Sequence, residues 1–467
     1  MARTLPDTAP SRRPCSSDTA VGRPGRPRRG PAAVSRHGPC WKDGEHTGSP
    51  ERSVLVRTIP EPPSPRSPFP RTRSAARRTV RTLAALTATV AALGATAVPA
   101  GAEDGSTRIS YRGHTFTVPA DWQVVDLEQD PTACVRFDRH AVYLGTPGEH
   151  QDCPARVLGR TEALLLQPVE SSERSLTENS TSRTYRATDE RIEVTAAYGQ
   201  DRAAIRRILD GAGLSAGAAR AEASAAAPAP LPADATSYRG RGFDACTAPS
   251  QSSMDAWMDD SSYNAVGIYI GGVNRGCSQA RLTAQWVRNQ YANGWRFLPF
   301  YVGPQPASGS CGSACTALTS PTAQGTAAAD DAVRQAAALG LGKGTVLYND
   351  IEAYPRSTAV TTQVLTYLKA WTERLHTLGY RSGAYGSTAS LVTDLVAHAS
   401  STTLPDVLHF AHWNDQANTT DAALPAHLWA AHQRVHQYAG NRTETHGGVT
   451  INIDRNQLDV GPFDDQP

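Results

Sequence analysis

Gly344–Pro355 reads GTVLYNDIEAYP. Val346 to Ile351 forms a short apolar run, bounded by Gly342 and Gly344 before it and Pro355 after it, which is the pattern of a buried strand. Residues two apart share one face of a strand, so Tyr348, Asp350 and Glu352 point the same way, with successive Cα atoms of that row roughly 6.5 Å apart. Two acids side by side at a strand's carboxyl end suit glycoside hydrolysis, in which one carboxyl donates a proton while the other stays ionised. A solvated strand end, a metal site or a salt-bridge site would use the same pair of residues.

On either side of this stretch, residues 238–467 alternate strand-like and helix-like segments. The strand-like runs are GFDAC, AVGIYIGG, FLPFYVG, TVLYNDIE, RSGAYG, VLHFAHW, RVHQYAG and VTINID, and the helix-like ones are SMDAWMDD, LTAQWVRNQYANG, AAADDAVRQAAALGLG and TAVTTQVLTYLKAWTERLHTLG. This alternation over roughly 230 residues predicts an α/β architecture, a (β/α)8 TIM-like barrel with its site at the carboxyl ends of the strands. Those ends carry Asp244, Tyr269, Tyr301 with Gln305, Asp350 with Glu352, Tyr385, Trp413 with Asn414, Gln437 with Tyr438, and Asp454. An acidic, aromatic and amide-bearing rim suits a sugar, because aromatic faces stack on pyranose C–H surfaces while carboxylates and amides bond hydroxyl and acetamido groups. Tyr269, Tyr301, Tyr385, Trp413 and Gln437 are the candidate substrate-binding residues. Trp257, Trp286, Trp295 and Trp371 lie in or beside the helical runs and read as packing residues. His409, His412, His432 and His436 are scattered without a compact ligand motif, so no metal and no cofactor are expected.

The whole chain has 467 residues, 39% of them hydrophobic, and a formal net charge of +2, which leaves room for two or three domains and excludes a strongly basic nucleic-acid binder. Residues 1–70 are rich in Pro, Arg and Ser without apolar periodicity and are expected to be disordered. Residues 71–102 read as a secretory signal, with RTRSAARRTVR, then LAALTATVAALGATAV, then Ala100-Gly101-Ala102. A signal so far from Met1 suggests a misassigned start, with translation beginning near Val54 or Val56. Arg77-Arg78-Thr79-Val80 partly matches a twin-arginine signal, and membrane attachment is expected only through an uncleaved signal segment. With Cys15 and Cys40 in the leader, six cysteines remain: Cys134, Cys153, Cys246, Cys277, Cys311 and Cys315. An even set in a secreted chain implies disulfides, whose connectivity stays open. Residues 103–213 hold short β-rich runs closing with the helix-like DRAAIRRIL and are expected to form a small α+β accessory domain, with Asp138, His140 and Glu162 as surface residues. Residues 214–237, rich in Ala and Pro, read as a linker. Oligomeric state is not legible.

GFDACTAPS, WRFLPFYVGPQ, LGLGKGTVLYNDIEAY, GYRSGAYGS, and HQYAG followed by INIDRNQLD together resemble the secreted glycoside-hydrolase-like family called domain of unknown function 1906. That family is similar to the family 25 glycoside hydrolases, muramidases that cut the glycan of peptidoglycan. The resemblance covers about residues 238–465. It implies that Asp244, Asp350, Glu352 and Asp454 are the four catalytic acids: Glu352 protonates the glycosidic oxygen, Asp350 assists the substrate's 2-acetamido group, and Asp244 and Asp454 position the substrate and adjust the acid. TAPS after the first strand, and HQY where muramidases usually carry WQY, depart from the pattern. The expected function is that of a secreted, cell-wall-associated glycoside hydrolase acting on peptidoglycan or another amino-sugar polysaccharide. The alternative is a non-catalytic carbohydrate-binding protein on a hydrolase fold; a metal-dependent deacetylase or phosphodiesterase is a weaker third reading.

Overall fold

The computed structural model describes residues 105–171, 173–215, 220–221 and 228–462. The expected leader, signal and displaced start at 1–70 and 71–102 lie outside them. Among the described residues no helix is long and apolar enough to cross a membrane.

The amino-terminal part is mostly sheet. Strands β1 (Ser106–Tyr111) and β2 (His114–Pro119) pair as an antiparallel hairpin. They are followed by β3 (Gln123–Asp126), β4 (Ala141–Leu144), β5 (Ala163–Pro168), β6 (Ser175–Asn179), β7 (Thr184–Asp189), β8 (Ile192–Ala197), helix α1 (Arg202–Gly211) and β9 (Arg220–Ala221). These seven strands form one sheet in the order β3-β4-β5-β8-β7-β6-β9. Alternating residues such as Ile192, Val194 and Ala196 bury one face of it against Phe116, Val118 and the Ile205, Ile208 and Leu209 stripe of α1. Asp201 caps α1, its side chain accepting from the Ala204 N–H at 2.7 Å.

The carboxyl-terminal part runs β10 (Tyr238–Asp244), α2 (Gln251–Asp260), β11 (Tyr263–Gly271), α3 (Ala284–Ala292), β12 (Arg296–Tyr301), α4 (Pro321–Ala338), β13 (Val346–Asp350), α5 (Thr358–Leu378), β14 (Arg381–Ser387), α6 (Thr393–Ala397), β15 (Val407–Ala411), β16 (Gln433–His446) and β17 (Val449–Val460). Its eight strands close into a barrel in sequence order. The four helical runs named above fold as α2 to α5. Ser250, Thr283 and Ser357 cap three of them, and Gly379 ends α5 in a left-handed conformation with φ 82°.

This barrel corrects the expected fold class. It is a closed, mixed eight-stranded β-barrel and not a (β/α)8 TIM barrel, because β17 runs antiparallel to both β10 and β16. The reason lies in the chain itself. Parallel neighbours need a crossover of about a dozen residues or more, whereas only NRTETHGG separates the runs RVHQYAG and VTINID. Those residues extend the strand to His446 and leave Gly447-Gly448 as a two-residue turn. With φ 55° and 78°, that turn has the left-handed geometry a tight hairpin requires. No helix lies between β15 and β16 either.

Side chains alternate across the barrel wall. Val346, Tyr348, Phe300, Leu298, Val407 and Val435 pack inside. Leu347, Ile351, Phe297, Tyr301, Leu408 and Phe410 pack in the layer under the helices. Asp350 and Glu352 continue the Tyr348 row inward, while Asn349 faces outward and donates to the Tyr367 hydroxyl at 2.9 Å.

The amino-terminal sheet is laid onto the barrel by main-chain contacts. Phe137 N–H donates to Gly276 O at 2.7 Å and Gly159 N–H to Asn274 O at 2.9 Å. Isolated bridges join Arg136 to Cys277 and Leu158 to Arg275. The disulfides are Cys134–Cys153, Cys246–Cys277 and Cys311–Cys315, and the first two pack against each other. Within 214–237, the part described from 228 onward lies against the barrel: Leu231 bridges Leu341.

Candidate active site

The interior ends of β10, β13 and β17 bring Asp244, Asp350, Glu352 and Asp454 to one end of the barrel, all four at most 5% exposed. Asp244 and Asp454 are directly opposed across the antiparallel β10–β17 pair. Asp244 is fully engaged: its Oδ1 accepts from Tyr269 Oη at 3.2 Å, and its Oδ2 accepts from Gln437 Nε2 at 3.2 Å and Asn456 Nδ2 at 2.6 Å. Asp454 Oδ1 accepts from the Asn441 N–H at 2.7 Å. Gln305 ties the loop after β12 to the acid strand, donating to Asp350 O at 2.7 Å and accepting from the Glu352 N–H at 2.9 Å. Three buried carboxylate oxygens are left without a hydrogen-bond donor: Asp350 Oδ1, Glu352 Oε1 and Asp454 Oδ2. Buried acceptors are normally satisfied, so these are the atoms a ligand hydroxyl, amide or water would meet.

Burial raises the proton affinity of every one of these acids. Asp244 is pushed up to about 7 by burial and by the charge of Asp454, against the hydrogen bonds from Asn456 and Gln437. Asp350 is held well above the carboxylate range by burial and by Glu352 beside it, with Arg156 opposing. Glu352 is raised by burial, again against Arg156, with Asp454 adding to the rise. Burial raises Asp454 as well, offset by the Asn441 N–H and Arg156.

Arg156 comes from the amino-terminal part of the chain, where no site residue was expected. Its Nη1 donates to Tyr385 Oη at 2.9 Å and lies 3.4 Å from Glu352 Oε1, an ion pair without hydrogen-bond geometry. Its guanidinium sits 5.5 Å from the centre of the Trp413 ring. Together with Glu352, Tyr385 and Trp413 it lines an open cavity of about 420 Å³.

The candidate substrate-binding residues divide. Tyr269, Tyr385, Gln437 and Trp413 meet at the acids, with Gln437 Oε1 accepting from Tyr385 Oη at 2.9 Å and from Trp413 Nε1 at 3.0 Å. Trp413 is half exposed. Tyr301 does not join them: its odd position on β12 turns it outward, where its hydroxyl donates to Asp331 Oδ2 at 2.9 Å. The four histidines also stay apart. His409 is buried in the barrel, held neutral with a pKa of about 3 by that burial. Its Nε2 lies 2.8 Å from Asn456 Oδ1; because that oxygen only accepts, Nε2 carries the proton. His436 stacks on Phe410 outside the barrel wall, and His412 and His432 pair with Asp421 and Asp459. Among the described residues the metal-spaced group is Cys134, Cys153 and Cys277, whose sulfurs are committed to disulfides. Asn456 and Asn441 escaped the sequence reading. Asn456 had a signal, since it precedes Leu458 and follows Asp454 on the inward face at spacing two; Arg156 had none.

Comparison with curated proteins returns no match. Among solved structures, the Tat-secreted protein Rv2525c of Mycobacterium tuberculosis in complex with L-tartrate is 17% identical with a TM-score of 0.35, covering 47% of this chain and 96% of that one. An uncharacterized B. stearothermophilus protein is 20% identical with a TM-score of 0.31, covering 47% and 95%. The catalytic domain of the endolysin ply40, from bacteriophage P40 of Listeria monocytogenes, is 12% identical with a TM-score of 0.30, covering 47% and 93%. Residues 255–458, most of the barrel, match the family model described as the Rv2525c-like, glycoside hydrolase-like domain, in agreement with the family that the motifs resemble.

Proposed function

We propose that the barrel, over 238–467, is a glycoside hydrolase acting on cell-wall or other amino-sugar glycans, exported from the cell, with 103–213 as its accessory domain and 214–237 as the connection. The observation that carries this reading is the Glu352 carboxyl: buried, raised in proton affinity, with Oε1 lacking a donor, and lining the cavity beside Trp413. A carboxylic acid whose proton affinity is raised by burial is what protonation of a glycosidic oxygen calls for. Asp350, with its own unpartnered Oδ1 one step along the same face, is placed to orient or stabilise an acetamido group. Asp244 holds Tyr269, Gln437 and Asn456 in position, and Asp454 supplies a second negative charge beside the acid. Trp413 and Tyr385 offer aromatic surface to a pyranose ring.

One observation favours the second reading, a non-catalytic glycan-binding barrel. The Arg156 guanidinium 3.4 Å from Glu352 opposes protonation of the acid. Incubating the purified protein, wild type beside Glu352→Gln, with peptidoglycan and with chitin oligomers, then reading soluble products by mass spectrometry, separates the two. New reducing-end fragments from wild type alone support the hydrolase. Fragments from both proteins remove Glu352 as the acid, and co-sedimentation with the glycan without fragments supports the binding reading.

A further inference from the structure

We propose that Arg156 forms a subsite for a carboxylate carried by the glycan, so that the amino-terminal sheet confers on the barrel a preference for acidic sugars. This rests on the reading of the barrel end as a glycan site, though not on any bond being cut there.

Arg156 sits on an arm built to hold it. Three residues before it, Cys153 is bonded to Cys134. Directly after it, Val157 O accepts from Gly276 N–H at 3.1 Å, Leu158 bridges Arg275, and Gly159 N–H donates to Asn274 O at 2.9 Å. Asn274 is in turn fixed, donating to Gly303 O at 2.8 Å and Thr316 O at 3.1 Å and accepting from Thr316 N–H at 2.7 Å. The guanidinium therefore enters the barrel mouth on a braced segment rather than on a free loop.

Of its donors, Nη1 alone makes a hydrogen bond, to Tyr385. Nε and Nη2 have no hydrogen-bond partner among the described residues, and Arg156 is the one arginine or lysine lining the cavity. A planar fork with an open edge matches a carboxylate bidentately. The guanidinium carbon also lies 5.5 Å from the centre of the Trp413 ring, within cation–π range, which holds the head group beside the indole. A sugar ring placed against the aromatic residues would carry its acidic substituent within reach of it.

The ion pair with Glu352 explains when the subsite is vacant. Glu352 faces Arg156, Asp454 and Asp350, and Tyr385 shares the arginine. When Glu352 holds the proton that an acid must donate, Arg156 loses its nearest counter-charge, with Asp454 and Asp350 the remaining acids acting on it, and a further anion at its open edge would restore the balance. A substrate carboxylate is that anion, and a neutral sugar is not. Glu352 and the ligand thus compete for one guanidinium.

The shared ligand chemistry is a sugar bearing a free carboxylate, and two sources supply it: a hexuronate within the chain, or a lactyl ether on an amino sugar with no peptide attached. Calorimetric titration of the full chain with a hexuronate-containing oligosaccharide, a peptide-free lactyl amino-sugar oligosaccharide and a neutral chitin oligomer of equal length tests the idea. At least one acidic ligand is expected to bind about tenfold tighter than the neutral one, and the tighter of the two names the source. Arg156→Gln should bring the ratio of acidic-ligand to neutral-ligand affinity down to near one, and Arg156→Lys should restore part of that ratio. Equal affinity for acidic and neutral ligands, a preference that survives Arg156→Gln, or an equal loss on both ligands would overturn the proposal. Glu352→Gln provides an independent arm: with the competing carboxylate gone, acidic-ligand affinity should rise severalfold, and an unchanged or weaker affinity would also overturn it. Binding is the readout in every arm, so absence of glycan cleavage would sink the hydrolase assignment and leave this subsite standing.

Discussion

Two sets of buried acids lie on opposite sides of the same barrel wall, and they are treated in opposite ways. Under the helices, Asp394 of α6 is fully buried and accepts from Tyr354 Oη at 2.8 Å, Thr361 Oγ1 at 2.8 Å and Arg356 Nε at 2.7 Å. Asp331 of α4, equally buried, accepts from Tyr301 Oη at 2.9 Å, Ser182 Oγ at 3.2 Å and Arg334 at 2.8 Å. Inside the barrel, Asp350, Glu352 and Asp454 each keep an oxygen with no donor and share one arginine. A buried charge left short of partners costs stability. The outer acids therefore read as structural and the inner ones as reserved for something that arrives.

The comparison breaks first on chemistry. Glu352→Gln should lower glycan cleavage by about 10²- to 10⁴-fold, the usual span of general acid catalysis, with no loss in the thermal midpoint. Asp394→Ala should do the reverse. Tyr354 and Thr361 would each lose a partner for a buried hydroxyl, at a cost of about 3 kcal/mol in all, read by urea denaturation. Cleavage at a temperature where both proteins are folded should stay within twofold. If Asp350→Asn cost as much stability as Asp394→Ala, the distinction between the two sides of the wall would collapse.

Much of this contrast is legible in the chain, and the illegible part has a physical cause. The two-residue period of Tyr348, Asp350 and Glu352 fixes their common face whatever the fold around them, because alternation is a property of the strand alone. The same period places Tyr301 outside, as Phe300 and Val302 are the inward residues of that run; a strand-end reading that ignores parity misses this. The TIM barrel expectation failed on connection length. Eight strand-like runs were present, but the last two lie too close in sequence to be parallel neighbours. Arg156 was invisible for a different reason. Its partners Glu352, Tyr385 and Trp413 lie about two hundred residues or more away in sequence, and no local pattern marks an arginine whose role comes from docking one sheet on another.

Acidity gives the next test. Asp244, with a proton affinity raised to about 7 by burial and by Asp454, binds its proton in the folded chain at a pH where the unfolded chain, near 3.9, has released it. Between those values the native state holds more protons, so stability is greatest at the acid end and falls as pH rises from about 4 to 7. Asp244→Asn should flatten this slope in denaturation midpoints measured across that range. A midpoint that instead rose with pH, after correction for the exposed acids, would mean that the inner carboxylates are as well satisfied as the outer ones.

The smallest effect uses two glycines, one on each side of the wall. At Gly440 an added Cβ would lie 2.1 Å from Trp413 Cζ2, and at Gly325 in α4 it would lie 2.4 Å from Tyr367 O under the helices. Gly440→Ala must push the indole from its place and cost it the bond to Gln437, worth about 1 kcal/mol. Glycan affinity should then fall by roughly fivefold, while unfolding stability drops by no more than that single bond, about 1 kcal/mol. Gly325→Ala meets backbone in a close helix contact and should lower the unfolding midpoint instead, with affinity unchanged. The two substitutions are chemically identical, so any difference between them comes from which side of the barrel wall they strain. An affinity loss from Gly325→Ala equal to that from Gly440→Ala would show that the outer layer shapes the site as directly as the inner one.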